Sequence, residues 1–235
     1  YKDADKAFHS RVVERVREYI DSSTGIQTLV QMQELVAMVR EFGCVSPSEI
    51  LDEFGYKEIY NEALMDRVRV RTGKLEKGEM TAVDFSIMNA APFLCRLRDA
   101  GVTLYLASGT DEEDVQAEAR IMGYADLFTG GIRGSVGDVE KEAKRMVLDR
   151  IIREAGQSAL SGLATFGDGP VEVRETRRLG GLSVGVASDE ICRSGLTPGK
   201  RTRLIQAGAD LIIPDFSQMD WLLELLGVSR AVGPG

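Results

Sequence analysis

The chain has 235 residues, of which 43% are hydrophobic and 28% are charged. This composition is that of an ordinary globular protein, long enough for one large domain or for a core domain with a smaller one attached. The formal net charge of −8 disfavours binding to nucleic acid or an anionic membrane by bulk electrostatics, because both need a basic face. No apolar segment reaches the roughly 18 residues of a membrane span, and no signal peptide is recognisable. A small anionic substrate is compatible with this charge, since a metal ion and a few cations act locally.

The cysteines and the single histidine carry no recognisable site. Cys44, Cys95 and Cys192 are far apart and have no metal-ligand spacing, so they are interpreted as reduced thiols of a cytoplasmic protein. His9 has no second His or Cys near it and therefore forms no zinc site.

From Lys6 to Lys77 the sequence has the pattern of a small helical bundle. Apolar residues recur there at spacings of three and four, and polar clusters interrupt them at 21–25 and 41–44. Ser46 and Glu49 have the spacing of a capping box, with proline at the first helical position, and predict a helix start.

A basic run on the last predicted helix of this part is interpreted as a solvated face. Contact with a second anionic group of a substrate is the alternative. The run consists of Arg67, Arg69, Arg71 and Lys74.

From Phe93 onward, short apolar runs alternate with helical segments, which is typical of a parallel α/β sheet. The glycines of 130–131 and 134–137 lack the Lys-Ser/Thr ending of a P-loop, so this segment is predicted to be a flexible turn. Strands are predicted at 102–107, 163–166, 182–186 and 211–213.

An acidic loop follows one of these runs. The apolar run ends at Gly167, and Asp168 and Glu172 follow four positions apart where the next helix opens. Carboxylates at the carboxyl end of a strand suit Mg²⁺ held beside a phosphate. Alternatively, Glu172 only favours the positive end of its helix.

A second polar segment follows the first predicted strand. The run ending at Ala107 leads into Ser108, Gly109 and Thr110, and Thr110 has capping-box spacing to Glu113. The N–H groups of Gly109 and Thr110 are therefore predicted to lie at a helix N-terminus, where they bind anions. A nucleophilic role for Ser108 is disfavoured, because no base is placed to activate it.

These two segments, with Lys144 between them, resemble the haloacid-dehalogenase-like (HAD) phosphohydrolase superfamily. Ser108 matches its second motif, Lys144 its third, and Asp168 with Glu172 its acidic fourth. The resemblance continues from about Ala90 to the C-terminus.

The resemblance implies an α/β fold, with a HAD-like doubly wound parallel sheet (a Rossmann-like core) at 89–235. It also implies a helical cap domain of the C1 type at 1–88.

The resemblance also implies roles for these residues. Asp168 would bind Mg²⁺, and Glu172 would be a second ligand or hold a metal-bound water. Ser108 would donate its hydroxyl to a phosphate oxygen, together with the N–H groups of Gly109 and Thr110. Lys144 would bridge the phosphate and the attacking carboxylate.

Two assignments rest on weaker patterns. Lys144 fits the spacing of the third motif better than Lys141, although the sequence around both is also typical of a solvated helix start with an i,i+4 ion pair. In the cap, Gln27 and Thr28 open a helix that resembles the family segment facing the active site, and both are predicted to contact substrate.

The family's nucleophile has no counterpart in this sequence. It is the first Asp of an Asp-x-Asp motif that ends a strand. Asp3 and Asp5 have the spacing, but the strand of five or six residues that would precede them does not fit. They are interpreted as the acidic first turn of a helix.

We therefore expect that the nucleophile segment was removed from this sequence or is supplied by something else, such as a fused or neighbouring domain. The strands containing Leu104 and Leu163 are then predicted to be separated by a gap instead of pairing with each other.

The resulting functional prediction is a Mg²⁺-dependent phosphatase that acts on a small phosphorylated metabolite, such as a sugar phosphate, through a phosphoaspartyl intermediate. The alternative is a HAD-like binding or regulatory module without catalysis. A different nucleotide-binding α/β protein is disfavoured, because no Gly-x-Gly-x-x-Gly follows a first strand.

Overall fold

The computed structural model describes residues 3–23, 28–136 and 143–228. Its first part is helical and its second part alternates strands with helices. The helices are α1 (Asp3–Ser22), α2 (Thr28–Phe42), α3 (Glu53–Glu76), α4 (Ala90–Asp99), α5 (Glu112–Ile121), α6 (Ala143–Ala155), α7 (Pro170–Arg178), α8 (Pro198–Ala207) and α9 (Met219–Leu225). The strands are β1 (Tyr105–Asp111), β2 (Gly131–Ser135), β3 (Ala164–Gly167), β4 (Leu182–Val186) and β5 (Leu211–Ile213).

The helical part has the predicted arrangement at its start. Helix α1 begins at Asp3, so Asp3 and Asp5 lie in its first turn, as the sequence predicted. Helix α2 buries the face that carries Leu29 and Val36. No helix among the described residues is long and apolar enough to cross a membrane.

The predicted helix start at Ser46 is wrong, because Ser46 and Glu49 close a turn instead. The Glu49 N–H donates to the Ser46 carbonyl at 2.8 Å, and the Ser46 hydroxyl donates to the Glu49 carboxylate at 2.6 Å. Helix α3 starts later, where the Asp52 side chain accepts the N–H of Gly55 at 2.8 Å. The Ser-x-x-Glu spacing serves the turn, and Asp52 is the N-cap.

The strands form two parallel sheets, one of β1 and β2 and the other in the order β3, β4, β5. Strands β4 and β5 have the predicted bounds, and β3 is shifted by one residue. The α/β class with parallel strands is confirmed.

Strand β2 corrects the prediction of a flexible turn at the glycines. Its residue Ile132 lies opposite Leu106 of β1 and packs against Val115 of α5. A Cβ placed on Gly134 would lie 2.5 Å from the Glu112 Cα, so β2 needs a glycine to approach the start of α5 closely. A single buried aliphatic residue among glycines gives too little apolar periodicity to indicate a strand.

Strand β1 is also offset from its prediction and extends through Thr110 to Asp111. The capping box of Thr110 and Glu113 is therefore wrong. Asp111 precedes the first helical residue, Glu112.

Among the described residues β1 does not pair with β3, which confirms the prediction for the strands near Leu104 and Leu163. A cavity of about 760 Å³ lies between them. Phe93, Phe166 and Phe216 line it and contact one another, with ring centroids 5.1 to 5.8 Å apart.

Asp210 fixes the start of the β4–β5 pairing. Its carboxylate accepts the hydroxyl of Ser183 at 2.6 Å and the Ser183 N–H at 2.8 Å. These two hydrogen bonds hold the pKa of Asp210 below its usual value, and the bond from the Ser183 hydroxyl has the larger effect.

A carboxyl group with a lowered folded-state pKa stabilises the fold above its unfolded pKa, about 3.9. This contribution is lost as the pH falls through the folded pKa. We therefore expect the urea midpoint of the parent to fall more between about pH 7 and pH 3 than that of Asp210→Asn.

The matched control is Asp126→Asn, which changes an exposed carboxylate and should follow the parent. Equal losses of stability in the parent and in Asp210→Asn would contradict an ionic role for this contact.

Candidate functional site

Lys144 lies between the carboxyl ends of β1 and β3. From the first turn of α6, its Nζ donates to Oε2 of Glu172 at 3.0 Å, and the two side chains are 18% and 12% exposed. A Cβ placed on Gly109 would lie 3.8 Å from the Lys144 Cγ. The structure thus brings Gly109, Lys144 and Glu172 together, and the ends of β1 and β3 lie at the same edge.

The glycines around Asp168 make room for the Glu172 side chain. A Cβ on Gly167 would lie 2.5 Å from the Glu172 Cγ, and one on Gly169 would lie 2.8 Å from its Oε2. Glu172 folds back over this loop, and its Oε1 accepts the N–H of Gly169 at 2.9 Å, ahead of Pro170 at the start of α7. Each carboxylate oxygen of Glu172 therefore has a protein partner.

Asp168 has a different partner. Its carboxylate, 52% exposed, accepts from the Lys200 Nζ at 3.2 Å, and the same Nζ donates to Glu190 at 2.7 Å. Burial lowers the pKa of Lys200, but the hydrogen bond to Glu190 and the charge of Asp168 outweigh it, so the pKa is raised. Lys200 therefore stays protonated beside Asp168 at neutral pH.

Sequence analysis missed both Lys200 and Glu190. Lys200 follows Pro198 in the first turn of α8, and Glu190 lies on the loop after β4. Neither belongs to a recognisable motif spacing. Only the parallel arrangement of β3 and β4, which places their following loops at one edge, brings these side chains to Asp168.

Ser108 and the two residues after it lie on the irregular end of β1, where the register shifts between Ala107 and Asp111. The Thr110 N–H donates to the Ser108 hydroxyl at 3.1 Å. The prediction that Gly109 and Thr110 lie at the N-terminus of a helix is wrong, because both precede α5 as part of β1.

The start of α5 is occupied by its own side chain. The Glu112 carboxylate accepts the N–H of Gly134 at 3.0 Å and pairs with Arg150 at 2.6 Å. A carboxylate there satisfies the positive end of the helix.

Of the two predicted substrate contacts in the cap, only Thr28 lies within the described residues. Thr28 is the first residue of α2 and is half-buried. Gln27 and Lys141 fall outside the described residues, as do the side chains of Arg67 and Arg71. Arg69 is exposed and pairs with Asp66 at 3.0 Å, in keeping with a solvated face.

A magnesium ion takes oxygen ligands in near-octahedral geometry. Within the ranges that the structure describes, no group of three or more His, Cys, Asp or Glu residues is arranged to hold a metal ion. Asp168 offers one half-exposed carboxylate, and both oxygens of Glu172 have partners. Because Mg²⁺ is often bound through one or two carboxylates together with waters and substrate phosphate, the roles of Asp168 and Glu172 stay predictions.

Solved structures were found that resemble this chain. A β-phosphoglucomutase from Clostridium difficile has a TM-score of 0.58 at 13% identity, covering 94% of this chain and 90% of its own. A haloacid-dehalogenase-like protein of unknown function from Agrobacterium tumefaciens has a TM-score of 0.52 at 14% identity, covering 85% and 91%.

The chain has a haloacid-dehalogenase-like fold. Its helical first part corresponds to the helical cap of such structures, and the predicted fold class is confirmed. The chain spans 59% of the length of a predicted phosphatase from Clostridium acetobutylicum, at 20% identity, 58% coverage of this chain and a TM-score of 0.44. No protein-family model matches the chain, and no curated protein does.

The Lys144–Glu172 pair gives a prediction for stability. Lys144→Met leaves a buried carboxylate oxygen without its partner, so we expect the free energy of unfolding to fall by about 1–3 kcal/mol. Adding Glu172→Gln to Lys144→Met should restore part of the loss. The double-mutant cycle, measured by urea unfolding, should then give a coupling energy of about 1 kcal/mol or more.

Arg145→Met is the matched control, because Arg145 is the next residue of α6, is 40% exposed, and its ion pairs with Asp149 and Glu175 are long, at 3.8 and 3.7 Å. It should change stability by about 0.5 kcal/mol or less. Additive effects of Lys144→Met and Glu172→Gln would show that the two side chains do not depend on each other.

Proposed function

We propose that this protein is a Mg²⁺-dependent phosphatase for a small phosphorylated metabolite such as a sugar phosphate. The observation that carries the proposal is the position of Lys144, held by Glu172 between the ends of β1 and β3. A cation fixed at the shared carboxyl edge of parallel strands suits an anionic substrate. The HAD-like fold makes phosphoryl transfer the reaction class with the best support.

The proposed reaction passes through a phosphoaspartyl intermediate whose Asp is supplied from outside the described residues. Its carboxylate would attack phosphorus, the ester oxygen would leave, and water would then hydrolyse the acyl phosphate. Lys144 would keep the attacking carboxylate ionised and reduce its repulsion from the phosphate. The Ser108 hydroxyl would donate to a phosphate oxygen, assisted by the N–H groups of Gly109 and Thr110.

Magnesium remains part of this proposal through Asp168. Its further oxygen ligands would be waters, the substrate phosphate and the segment that carries the nucleophile. The Lys200 Nζ would then donate less to Asp168 and more to Glu190. Glu172, bound by Lys144, is proposed to be a second ligand or to hold a metal-bound water.

The substrate class and the domain boundaries are also proposals. The name of the Clostridium difficile structure, a β-phosphoglucomutase, supports a sugar phosphate. We propose that residues 1–88 form the cap, with Gln27 and Thr28 facing substrate, and that residues 89–235 form the core. The exposed free thiols of Cys44 and Cys192 support a reducing, cytoplasmic location.

A binding or regulatory module without catalysis is the second candidate. It is favoured by the ion pairs that already neutralise Asp168 and Glu172, through Lys200 and Lys144. The segment that completes the core discriminates the two candidates. An acidic residue at its carboxyl end supports the phosphatase, and a non-acidic one supports the module.

Lys144→Ala tests the mechanism in the natural full-length protein. We expect turnover of p-nitrophenyl phosphate and of small sugar phosphates to fall by about 10²-fold or more, the size typical of losing one aimed electrostatic donor. Lys141→Ala, the neighbouring lysine in sequence, should have little effect. Circular dichroism of both variants separates loss of activity from loss of fold. Full activity of Lys144→Ala would remove this residue from the mechanism.

Asp168→Asn tests the metal in the same full-length protein. We expect it to weaken Mg²⁺ binding in calorimetric titration, because it removes a charged oxygen ligand. Asp126→Asn, a change at an exposed carboxylate, should leave the titration unchanged. An unaltered titration in Asp168→Asn would exclude Asp168 as a ligand, and a full-length parent without Mg²⁺-dependent activity would favour the binding module.

A further inference from the structure

Lys200 is the most buried member of a triad of charged side chains at the carboxyl edge of β3 and β4. Its side chain is 11% exposed, whereas those of Asp168 and Glu190 are 52% and 74% exposed. Lys200 comes from the first turn of α8, and the two carboxylates come from the loops after β3 and β4. A positive charge with so little access to water depends on partners from the protein.

The two contacts of the Lys200 Nζ are unequal. It donates to Oε1 of Glu190 at 2.7 Å and to Oδ2 of Asp168 at 3.2 Å. The shorter distance is that of a strong ammonium–carboxylate hydrogen bond, and the longer one lies at the upper limit of ordinary N–H···O distances. Lys200 can therefore lose Asp168 and keep its closer partner, so the buried charge is not left alone.

The loop that carries Glu190 is held by its own hydrogen bonds. The Asp189 carboxylate accepts the N–H of Ile191 at 2.9 Å and the N–H of Cys192 at 2.7 Å. The backbone on both sides of Glu190 is therefore fixed, although the Glu190 side chain is exposed. Its carboxylate is thus kept within reach of Lys200.

The same loop is anchored at a second place by Arg193. This residue has a φ of 59°, in the left-handed region that non-glycine residues rarely adopt. Its carbonyl accepts the N–H of Met88 at 2.9 Å, and its guanidinium donates to the carbonyl of Val83. The loop is thus tied to the segment before α4, so the position of Glu190 does not depend on Lys200 alone.

The Asp168 carboxylate is suited to exchange one cation for another. Only its Oδ2 contacts Lys200, and no described residue forms a hydrogen bond with its Oδ1. Mg²⁺ takes charged oxygen ligands and keeps several waters, so a half-exposed carboxylate with one weakly held oxygen fits it. A divalent cation there would repel Lys200, because the two positive charges would share one carboxylate.

We propose that Lys200 competes with a divalent cation for Asp168, and that Glu190 is a positioning residue which takes over Lys200 when the cation binds. Glu190 then sets the affinity for Mg²⁺ without contacting it. The inference deepens the proposed function and rests on its assignment of Asp168 as a metal ligand. It concerns binding and not turnover, so the two can fail separately.

Two simpler roles of Glu190 give different results. A Glu190 that bound Mg²⁺ directly, or that only made the local potential more negative, would favour Mg²⁺ binding whether or not Lys200 is present. A triad that only held the loops together would leave the Mg²⁺ affinity independent of Lys200 and Glu190. A double-mutant cycle on these two residues separates the three cases.

The test is calorimetric titration of the natural full-length protein with Mg²⁺ alone. We expect Lys200→Met to tighten binding by about tenfold, because the competing charge is gone. Glu190→Gln should weaken binding by about tenfold, because Lys200 then stays on Asp168. In the Lys200→Met background, Glu190→Gln should change the affinity by about threefold or less, the size of a screened charge effect.

Arg201→Met is the matched control, because it removes the same charge from the next residue of α8, whose side chain is exposed. It should leave the affinity within about twofold of the parent. Lys200→Gln keeps a polar side chain and repeats the measurement without an apolar group at this position. Circular dichroism of every variant separates changed affinity from changed fold.

Unchanged or weaker Mg²⁺ binding in both Lys200→Met and Lys200→Gln would overturn the proposal, as would an equal effect of Glu190→Gln with and without Lys200. If neither the parent nor the Lys200 variants bind Mg²⁺, the inference and the metal of the proposed function are both wrong. Tighter binding in the Lys200 variants, with no phosphatase activity in the full-length parent, would uphold the inference and reject only the proposed function.

Discussion

The ion pair between Lys144 and Glu172 is the contact on which the site depends. It joins α6, which packs on β1 and β2, to α7, which packs on β3 and β4. Because both side chains are largely buried, each charge requires the other, and removing one leaves the other without compensation. The glycines at 167 and 169 follow from this pair, since a Cβ at either position would displace the Glu172 side chain.

The divided sheet and the candidate site have a common geometric origin. Lys144 lies beside Gly109 near the end of β1 and donates to Glu172, which follows β3, and it lines the cavity between the two strands. Helix α6 therefore has two functions, since its apolar face lines this cavity and its first turn supplies the charge.

Much of the fold could be predicted from local sequence, and the failures have physical causes. Strands β4 and β5 are continuous apolar runs, and their bounds were predicted correctly. Strand β2 was missed, because its pairing with β1 depends on glycines that allow close approach and not on apolar periodicity. The capping boxes at Ser46 and Thr110 were wrong, since the same spacing also suits a turn or the end of a strand.

The candidate site was predictable to a similar extent. The resemblance to a known superfamily selected Lys144 and Glu172, which the structure brings into contact, although their roles stay predictions. It also grouped Asp168 with them, whereas the structure pairs Asp168 with Lys200. Lys200 comes from a helix 32 positions later in the chain, and no local pattern marks such a contact.

The two lysines reduce an electrostatic difficulty for an anionic substrate without removing it. The protein carries a formal net charge of −8, and the site itself contains carboxylates that repel phosphate. Salt screens the distant charges over about 8 Å, so the groups within the site dominate the potential there. Lys144 neutralises Glu172 at 3.0 Å, and Lys200 neutralises Asp168 at 3.2 Å. Because Lys200 also pairs with Glu190 at 2.7 Å, the described side chains here hold three carboxylates and two lysines. An anion at this edge of the sheet therefore needs a further cation, which the proposed Mg²⁺ would supply.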